Sequence, residues 1–226
     1  MSALLDSLSA TFLGDAARRA ALDEALRDGL PGPRTEAWKY TSLRQLERRS
    51  FAAVEALPSL DPMLLADIPA PRAVFVNGCY SVALSLTTDL PDGVSLQLLS
   101  EALAEGGDAA RFLQRRFERT DEVFARLNAA LATEGLLLRA EADVRSEQPL
   151  HLVFIGTEDG ADRAWHLRNL IELRAGAALT VVEHHFAATP HAHFINALSH
   201  VHLAKGPTLS HAPPQINSEG ATSSMP

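Results

Sequence analysis

The chain has 226 residues, of which 46% are hydrophobic and 21% charged, and these proportions exclude a disordered or fibrous protein. The formal net charge of −8, with Lys and Arg scattered along the chain, argues against nucleic acid as a partner. One cysteine excludes an internal disulfide and favours a reducing compartment, so we expect a cytoplasmic protein. Asp6 interrupts the first apolar run, which argues against a signal peptide, and we expect no membrane segment.

The first fifty residues have the apolar spacing of helices. The pattern predicts a helix over 4–12, then a second over 16–27 with Asp15 as its N-cap and Gly29 at its end. A third helix is predicted after Tyr40, because Ser42 and Gln45 have capping-box spacing. Residues 51–72 are rich in proline and predict a packed connector.

Strand and helix signals then alternate up to residue 135. Residues 73–76 read as a strand entering the turn Asn77-Gly78, and 82–86 as its partner. Helical spacing returns at 98–103 and at 108–132, and Gly135 is predicted to be the C′ residue of the latter helix.

Strand patterns dominate after residue 135, and they are listed here: 136–139, 150–155, 165–173, 179–186 and 194–203. No connection between them is long enough for a crossover helix, which leaves a sandwich, a cupin-type closed sheet or a β-solenoid. The sequence therefore predicts an α+β protein with a boundary near residue 135. Residues 1–135 are mainly helical with a short strand pair near 73–86, 136–211 are strand-rich, and 212–226 are an irregular tail.

A thirty-residue repeat favours the solenoid among these three. Residues 171–180 and 201–210 share a pattern in which a strand runs into a glycine, Gly176 or Gly206, and a second short strand leaves it. Repeats that stack bury their apolar faces only against neighbours. No further strand pattern follows the second copy, so the solenoid is expected to be incomplete.

Histidines are the chemically distinctive side chains, since seven of the nine fall between His184 and His211. The pairs His191/His193 and His200/His202 have the i, i+2 spacing of one strand face, and such pairs bind Zn²⁺ or Fe²⁺ when a third ligand such as Glu183 is present. Their spacing differs from the usual cupin pattern. The preferred interpretation is that these histidines are polar residues on the solvent side of strands.

Other motifs give little sign of chemistry. Cys79 follows the turn Asn77-Gly78 with no base or helix start nearby, so we expect a half-buried small residue and not a nucleophile. Phosphate-loop, dinucleotide, hydrolase and paired-cysteine motifs are missing from the sequence. Around Trp38 and Tyr40, the charged residues Arg34, Glu36 and Lys39 suit a turn anchored by stacking and ion pairing, and a partner-binding surface is the alternative.

The segment from Pro31 to Thr41 resembles the Pro-x-x-Arg-x-Glu-x-Trp-Lys/Arg-Tyr-Thr motif of the SufD branch of the SufB/SufD family, which acts in iron–sulfur cluster assembly. The resemblance continues in the same order through further motifs over some two hundred residues. They are Val74 to Gly78, Asp121 with Phe124, Leu127-Asn128 and Leu131, Pro149 to Leu152, Arg168-Asn169, Gly176-Ala177, Val181 to His185, and Phe194 to Asn196.

This resemblance implies a fold and a function. SufD-like proteins have an N-terminal helical region, a right-handed parallel β-helix and a C-terminal helical region. They are scaffolds without enzymatic activity or a cofactor of their own, and they act with SufB and the ATPase SufC while the complex assembles the cluster. The later rungs and the C-terminal helices have no counterpart after His211, so we expect a truncated form, and no site residue is transferred.

Two other functions remain open at this stage. One is a cupin-like metal-dependent enzyme that uses the His184–His211 cluster, and the other is a β-helical binding module unrelated to clusters. An open rung edge would also expose unpaired backbone groups, which predicts self-association.

Overall fold

The computed structural model describes residues 2–106 and 122–212. The predicted helix over 108–132 falls partly outside these residues, and the predicted tail over 212–226 falls outside them after residue 212. The helices are α1 (Ala3–Ala10), α2 (Ala16–Asp28), α3 (Arg44–Glu47), α4 (Leu99–Glu105) and α5 (Val123–Leu131). The strands are β1 (Ala52–Ala53), β2 (Arg72–Val76), β3 (Cys79–Tyr80), β4 (Val94–Leu98), β5 (Leu136–Ala140), β6 (Leu150–Gly156), β7 (Arg163–Leu173), β8 (Ala178–Ala187), β9 (Phe194–Leu203) and β10 (Thr208–Ala212).

Helix α2 has the ends that its sequence predicts. The Asp15 side chain accepts a hydrogen bond from the Arg18 backbone N–H at 2.9 Å, and Gly29 ends the helix with φ +71°. The predicted capping box at Ser42 is wrong, because α3 starts at Arg44 and Leu43 occupies its N-cap position. The helix therefore begins one residue later than the pattern indicates.

The strands form two sheets of five strands each. The first sheet has the order β1-β7-β5-β4 with β9 also paired to β7, and the second has the order β10-β8-β6-β2-β3. From β5 to β10, consecutive strands alternate between the two sheets and pair in parallel with the next strand of the same sheet. Neither sheet closes on itself in the residues that the structure describes.

The thirty-residue repeat sets the register of this pairing. Ile171 of β7 pairs with Val201 of β9, and Leu179 of β8 pairs with Leu209 of β10, so each repeat position lies beside its counterpart. Gly176 and Gly206 both adopt positive φ, +72° and +79°, at the turns between these strands. The stacking of the two copies that the sequence predicts is therefore confirmed.

Strands from both sides of residue 135 contribute to the sheets. Strand β2 pairs in parallel with β6, and β4 pairs antiparallel with β5. Strand β4 was not predicted, because its half-buried residues lack a clear alternation. The turn Asn77-Gly78 joins β2 to the two-residue β3, and the predicted strand over 82–86 is instead a turn with a single bridge from Leu86 to Arg72.

The main core lies between the two sheets, and helices cover the first sheet from outside. Inward-facing side chains such as Phe75, Leu138, Phe154 and Leu167 fill the inter-sheet space. Helices α1, α2 and α5 share a second cluster that reaches the first sheet at Ala164 and Phe194, and α4 packs on Leu137. Inward-facing and outward-facing positions alternate along each strand, so the face of every polar residue follows from its register.

Candidate functional site

The seven histidines between His184 and His211 do not form one cluster. His191 and His193 lie in the loop before β9, so the prediction that they share a strand face is wrong. Their rings stack at 4.5 Å between centroids, but the ring of His191 also lies against Gly156, where an added Cβ would be 2.3 Å from it. Nδ1 of His191 donates to the Thr189 carbonyl at 2.8 Å.

His193 has both ring nitrogens occupied by the backbone. Nε2 donates to the Thr157 carbonyl at 2.7 Å, and Nδ1 accepts from the Arg163 N–H at 2.9 Å. The side chain is 2% exposed, and burial lowers its pKa. A neutral imidazole that bridges two loops in this way has no lone pair left for a metal ion, so its role here is to join the turn after β6 to the start of β7.

His200 and His202 share one face of β9, as their spacing predicts, and this face points away from the inter-sheet core. Nε2 of His200 lies 3.2 Å from the Arg168 guanidinium, and Nδ1 of His202 lies 3.8 Å from a Glu172 carboxylate oxygen. A guanidinium beside an imidazole repels a cation, which argues against metal binding at His200. The structure thus separates this pair from the loop pair.

A third group consists of Glu183, His185 and His211, which continue the inward-facing rows of β8 and β10. Nε2 of His185 donates to one Glu183 oxygen at 3.2 Å, and Nε2 of His211 lies 3.0 Å from the other at an angle outside that of a good hydrogen bond. Burial acts to raise the pKa of the Glu183 carboxyl, but hydrogen bonds and charge from the two histidines lower it below its usual value. This contact ties β10 to β8.

Sequence reasoning missed a further pair on the outer face of the second sheet. Nδ1 of His151 and Nε2 of His184 are 2.9 Å apart, and burial lowers the pKa of both rings. The contact has no local sequence signal, because it is the parallel pairing of β8 with β6 that brings residue 184 to this face. Across residues 2–106 and 122–212, no three His, Cys, Asp or Glu side chains are arranged to hold a metal ion.

Cys79 lies in β3 and is half-buried. Burial raises the pKa of its thiol, and the nearby Glu134 carboxyl raises it further. Both effects disfavour the thiolate, which is the form that attacks substrates and binds metals. The surroundings are those of a small packed residue.

Trp38 anchors the segment that carries the first motif of the resemblance. Its ring lies 5.3 Å from that of Phe124 in α5, which in turn contacts Phe194 of β9 at 6.0 Å. Tyr40, two residues later, is 92% exposed, with the Lys39 ammonium 5.3 Å from its ring centroid. One aromatic residue of the segment therefore supports the fold, and the other faces solvent.

Other residues of the resemblance form a buried polar network beneath α5. The Asn128 amide donates to the carbonyls of Leu167 and Asn196, both at 2.8 Å. The Asn196 amide in turn donates to the Phe124 carbonyl at 2.9 Å and to Nδ1 of His166 at 3.1 Å. Because these bonds join α5 to two adjacent strands, they fix how the helix sits on the sheet.

His166 makes the fold sensitive to acid. Burial, with a smaller contribution from the Arg18 charge, lowers its pKa to about 3. Between that pH and about 6.5 the unfolded chain binds a proton that the folded chain does not, so stability falls as the pH falls. At ~1.4 kcal/mol per pH unit, acidification from pH 7 to 5 should cost about 2 kcal/mol through this residue alone.

Urea unfolding of the parent chain and of His166→Gln at both pH values measures this effect. We expect the stability of the variant to depend less on pH, by about 2 kcal/mol over this range, whatever its stability at pH 7. The difference isolates His166, because the other histidines are common to both proteins. Equal pH dependence in the two proteins would show that His166 titrates normally.

The fold is that of an α+β protein in which repeat-related strands stack in two sheets. The polar clusters described above mainly join one helix or strand to another. Residues 1–152 match the family model described as the SufBD protein N-terminal region. The chain belongs to the SufBD family. None of the helices in the described part of the chain is long and apolar enough to cross a membrane.

Two curated proteins illustrate the relationship. The chain is 30% identical over 195 residues to the iron–sulfur cluster assembly protein SufD of Escherichia coli. This alignment covers 84% of the chain and 43% of the E. coli protein. It is 27% identical over 196 residues to an iron–sulfur cluster assembly SufBD family protein of Synechocystis sp.. This second alignment covers 80% of the chain and 43% of the Synechocystis protein. The chain thus spans less than half the length of these relatives.

Proposed function

We propose that this chain acts in iron–sulfur cluster assembly as a SufD-type scaffold component with SufB and SufC homologues. The family match over residues 1–152 carries this proposal, and both curated relatives are named as cluster assembly proteins. The contribution is binding and not catalysis, because the histidines and Cys79 serve the fold. ATP hydrolysis belongs to SufC, and the cluster is the cargo of the complex and not a cofactor of this chain. The compartment is the cytoplasm.

The proposal includes a specific architecture. The alternation of β5 to β10 between two parallel sheets supports a right-handed β-helix over 136–211, preceded by a mainly helical region over 1–135. Strands β2 and β4 would then be the first strands laid onto that β-helix. Since the matched relatives are nearly twice as long and the family model is that of the N-terminal region, we infer that this chain corresponds to the N-terminal part of a SufD-type protein.

Co-purification tests the proposed partners. A tagged form of this chain would be co-expressed with the SufB and SufC homologues of the same genome, each alone and both together. We expect a complex with the SufB homologue that survives size-exclusion chromatography, and an unrelated ATPase of similar fold serves as the control for SufC. Failure to capture either homologue, from a chain that is folded by circular dichroism, would contradict the scaffold role and leave a binding module unrelated to clusters.

The cupin-like enzyme alternative has lost its geometric basis. It requires a closed sheet with several histidines on its inner face, whereas the described strands form two open sheets and place the histidines at separate sites. Metal analysis of protein purified without chelators tests it directly. Stoichiometric Zn²⁺ or Fe²⁺ that disappears in His191→Ala would restore the enzyme interpretation.

A further inference from the structure

The turn between β2 and β3 is built from a chemically labile pair of residues. Asn77 and Gly78 form the two-residue turn that joins Val76 to its partner Cys79, and both have positive φ, +46° and +80°. Asparagine is a thermolabile residue, and it reacts most readily before glycine, because a residue without a Cβ leaves its backbone nitrogen free to approach the asparagine side chain. The sequence contains one Asn-Gly pair, and it lies in this turn.

Packing requires glycine at the second position of this turn. A Cβ added to Gly78 would lie 2.5 Å from both Cβ and Cγ of Trp165. Trp165 is 7% exposed and belongs to the core between the two sheets, so it cannot move aside without disturbing that core. The fold therefore depends on the same glycine that makes Asn77 reactive.

The loop after β6 holds the Asn77 side chain. Its Nδ2 donates to the Thr157 carbonyl at 3.0 Å, and its Oδ1 accepts from the Thr157 N–H at 2.9 Å. We call these two bonds the Asn77–Thr157 clamp. Asn77 is 0% exposed, and its backbone N–H donates to the Ile155 carbonyl at 2.8 Å. Asn77 can react only when its Cγ comes within bonding distance of the Gly78 nitrogen, and rotation of the side chain toward that atom breaks both bonds of the clamp.

We propose that Asn77 is a deamidation site of this chain, and that the Asn77–Thr157 clamp keeps it unreactive in the folded state. In the reaction the Gly78 backbone nitrogen loses its proton and bonds to Cγ of Asn77, the Cγ–Nδ2 bond breaks, and Nδ2 leaves with that proton as ammonia. One molecule of solvent water then opens the resulting five-membered imide at either carbonyl. This gives aspartate or isoaspartate at position 77 without oxidation or reduction. The site is independent of the proposed role in cluster assembly.

Neither product of the reaction fits the clamp. In aspartate, a carboxylate oxygen replaces the Nδ2 donor and faces the Thr157 carbonyl, so two acceptors oppose each other in a buried place. The same carbonyl also accepts from Nε2 of His193 at 2.7 Å, and that bond would be disturbed as well. Isoaspartate adds a methylene group to the backbone, and a two-residue turn can then no longer keep Val76 opposite Cys79. Deamidation is therefore a one-way change that opens the turn and releases the loop after β6.

Mass spectrometry of proteolytic peptides tests the proposal after incubation of the 226-residue chain in mildly alkaline buffer, folded or in guanidinium chloride. In denaturant, we expect Asn77 to gain the mass difference between NH₂ and OH faster than Asn128, Asn169 and Asn196, whose following residues carry a Cβ. In the folded chain the reaction at Asn77 should be slower by roughly tenfold or more, because only molecules with an open clamp react. Equal rates in the two states, or no preference for Asn77 in denaturant, would overturn the proposal.

Thr189→Val separates opening of the clamp from unfolding of the whole chain. Oγ1 of Thr189 lies 3.1 Å from Oγ1 of Thr157 and accepts from the Glu158 N–H at 2.7 Å, so its loss loosens the loop after β6 without a change at Asn77. We expect Asn77 to react about threefold faster in the folded variant, with an unchanged rate in denaturant. The matched control Thr41→Val makes the same change at an exposed threonine before α3 and should react at the parent rate. No acceleration in Thr189→Val, or equal acceleration in the control, would show that the clamp does not govern the reaction.

Discussion

Replacing Gly135 with alanine is expected to lower the free energy of unfolding by about 4 kcal/mol. An added Cβ would lie 2.1 Å from the Arg168 carbonyl oxygen and 2.7 Å from its carbon, and both are backbone atoms of β7. Gly135 also has φ +139°, which alanine rarely adopts. The Arg168 N–H donates to the Glu134 carbonyl at 3.0 Å. Because of this bond, neither the segment at Gly135 nor β7 can move away without disrupting the start of β5.

Urea or thermal unfolding measures this loss, and Gly29→Ala is the matched control. Gly29 also has positive φ, +71°, but an added Cβ would meet no atom within 4 Å. The control should therefore lose only the conformational preference, about 2 kcal/mol, because Gly29 combines φ +71° with ψ −172°, a region that other residues rarely adopt. If the two variants were equally destabilised, the backbone would not approach β7 as closely as the structure shows.

The second large effect is expected at Asn128. Replacing it with leucine, which has a similar volume, should lower the free energy of unfolding by about 3 kcal/mol. The Asn128 side chain is 0% exposed, and its amide donates to the carbonyls of Leu167 on β7 and Asn196 on β9. Leucine removes both donors and leaves the buried Leu167 carbonyl and the partly buried Asn196 carbonyl without the bonds that hold α5 against the sheet.

Chemical denaturation compares this variant with Gln45→Leu, which replaces an exposed amide on α3 by the same residue. That control should change stability by no more than about 0.5 kcal/mol. A loss below about 1 kcal/mol in Asn128→Leu would mean that the amide is dispensable and that apolar packing alone seats α5.

Local sequence patterns were sufficient to predict the helix ends and strands that depend only on their own residues. The caps Asp15 and Gly29 satisfy backbone groups within one turn, and β9 runs from Phe194 to Leu203 as its apolar pattern indicates. Gly135 shows the limit of that reasoning. The sequence suggested a helix C′ residue, but α5 ends at Leu131 and the glycine is required by a strand more than thirty residues later in the chain.

The prediction that His191 and His193 share a strand face was wrong for a related reason. Spacing of i, i+2 places two side chains on one face only when both lie in a strand, and His191 and His193 precede β9. Contacts such as His151 with His184 depend on parallel pairing across some thirty residues, which no local pattern contains. The motif residues Asn128 and Asn196 were recognised individually, but their hydrogen bonds to each other's elements were not.

The sequence by itself determined the α+β fold class, the family resemblance and the thirty-residue offset between paired strands. Composition, the order of motifs and the repeat are all properties of the linear sequence. Only the tertiary structure decided which face each histidine occupies and which glycine lies against another backbone. The physical reason is that the burial of a side chain, and the approach of one backbone segment to another, depend on which strand or helix packs beside it. Ile171 and Val201 occupy matching places in the repeat, yet within the described residues Ile171 is buried and Val201 is 46% exposed, because β9 lies beside Ile171.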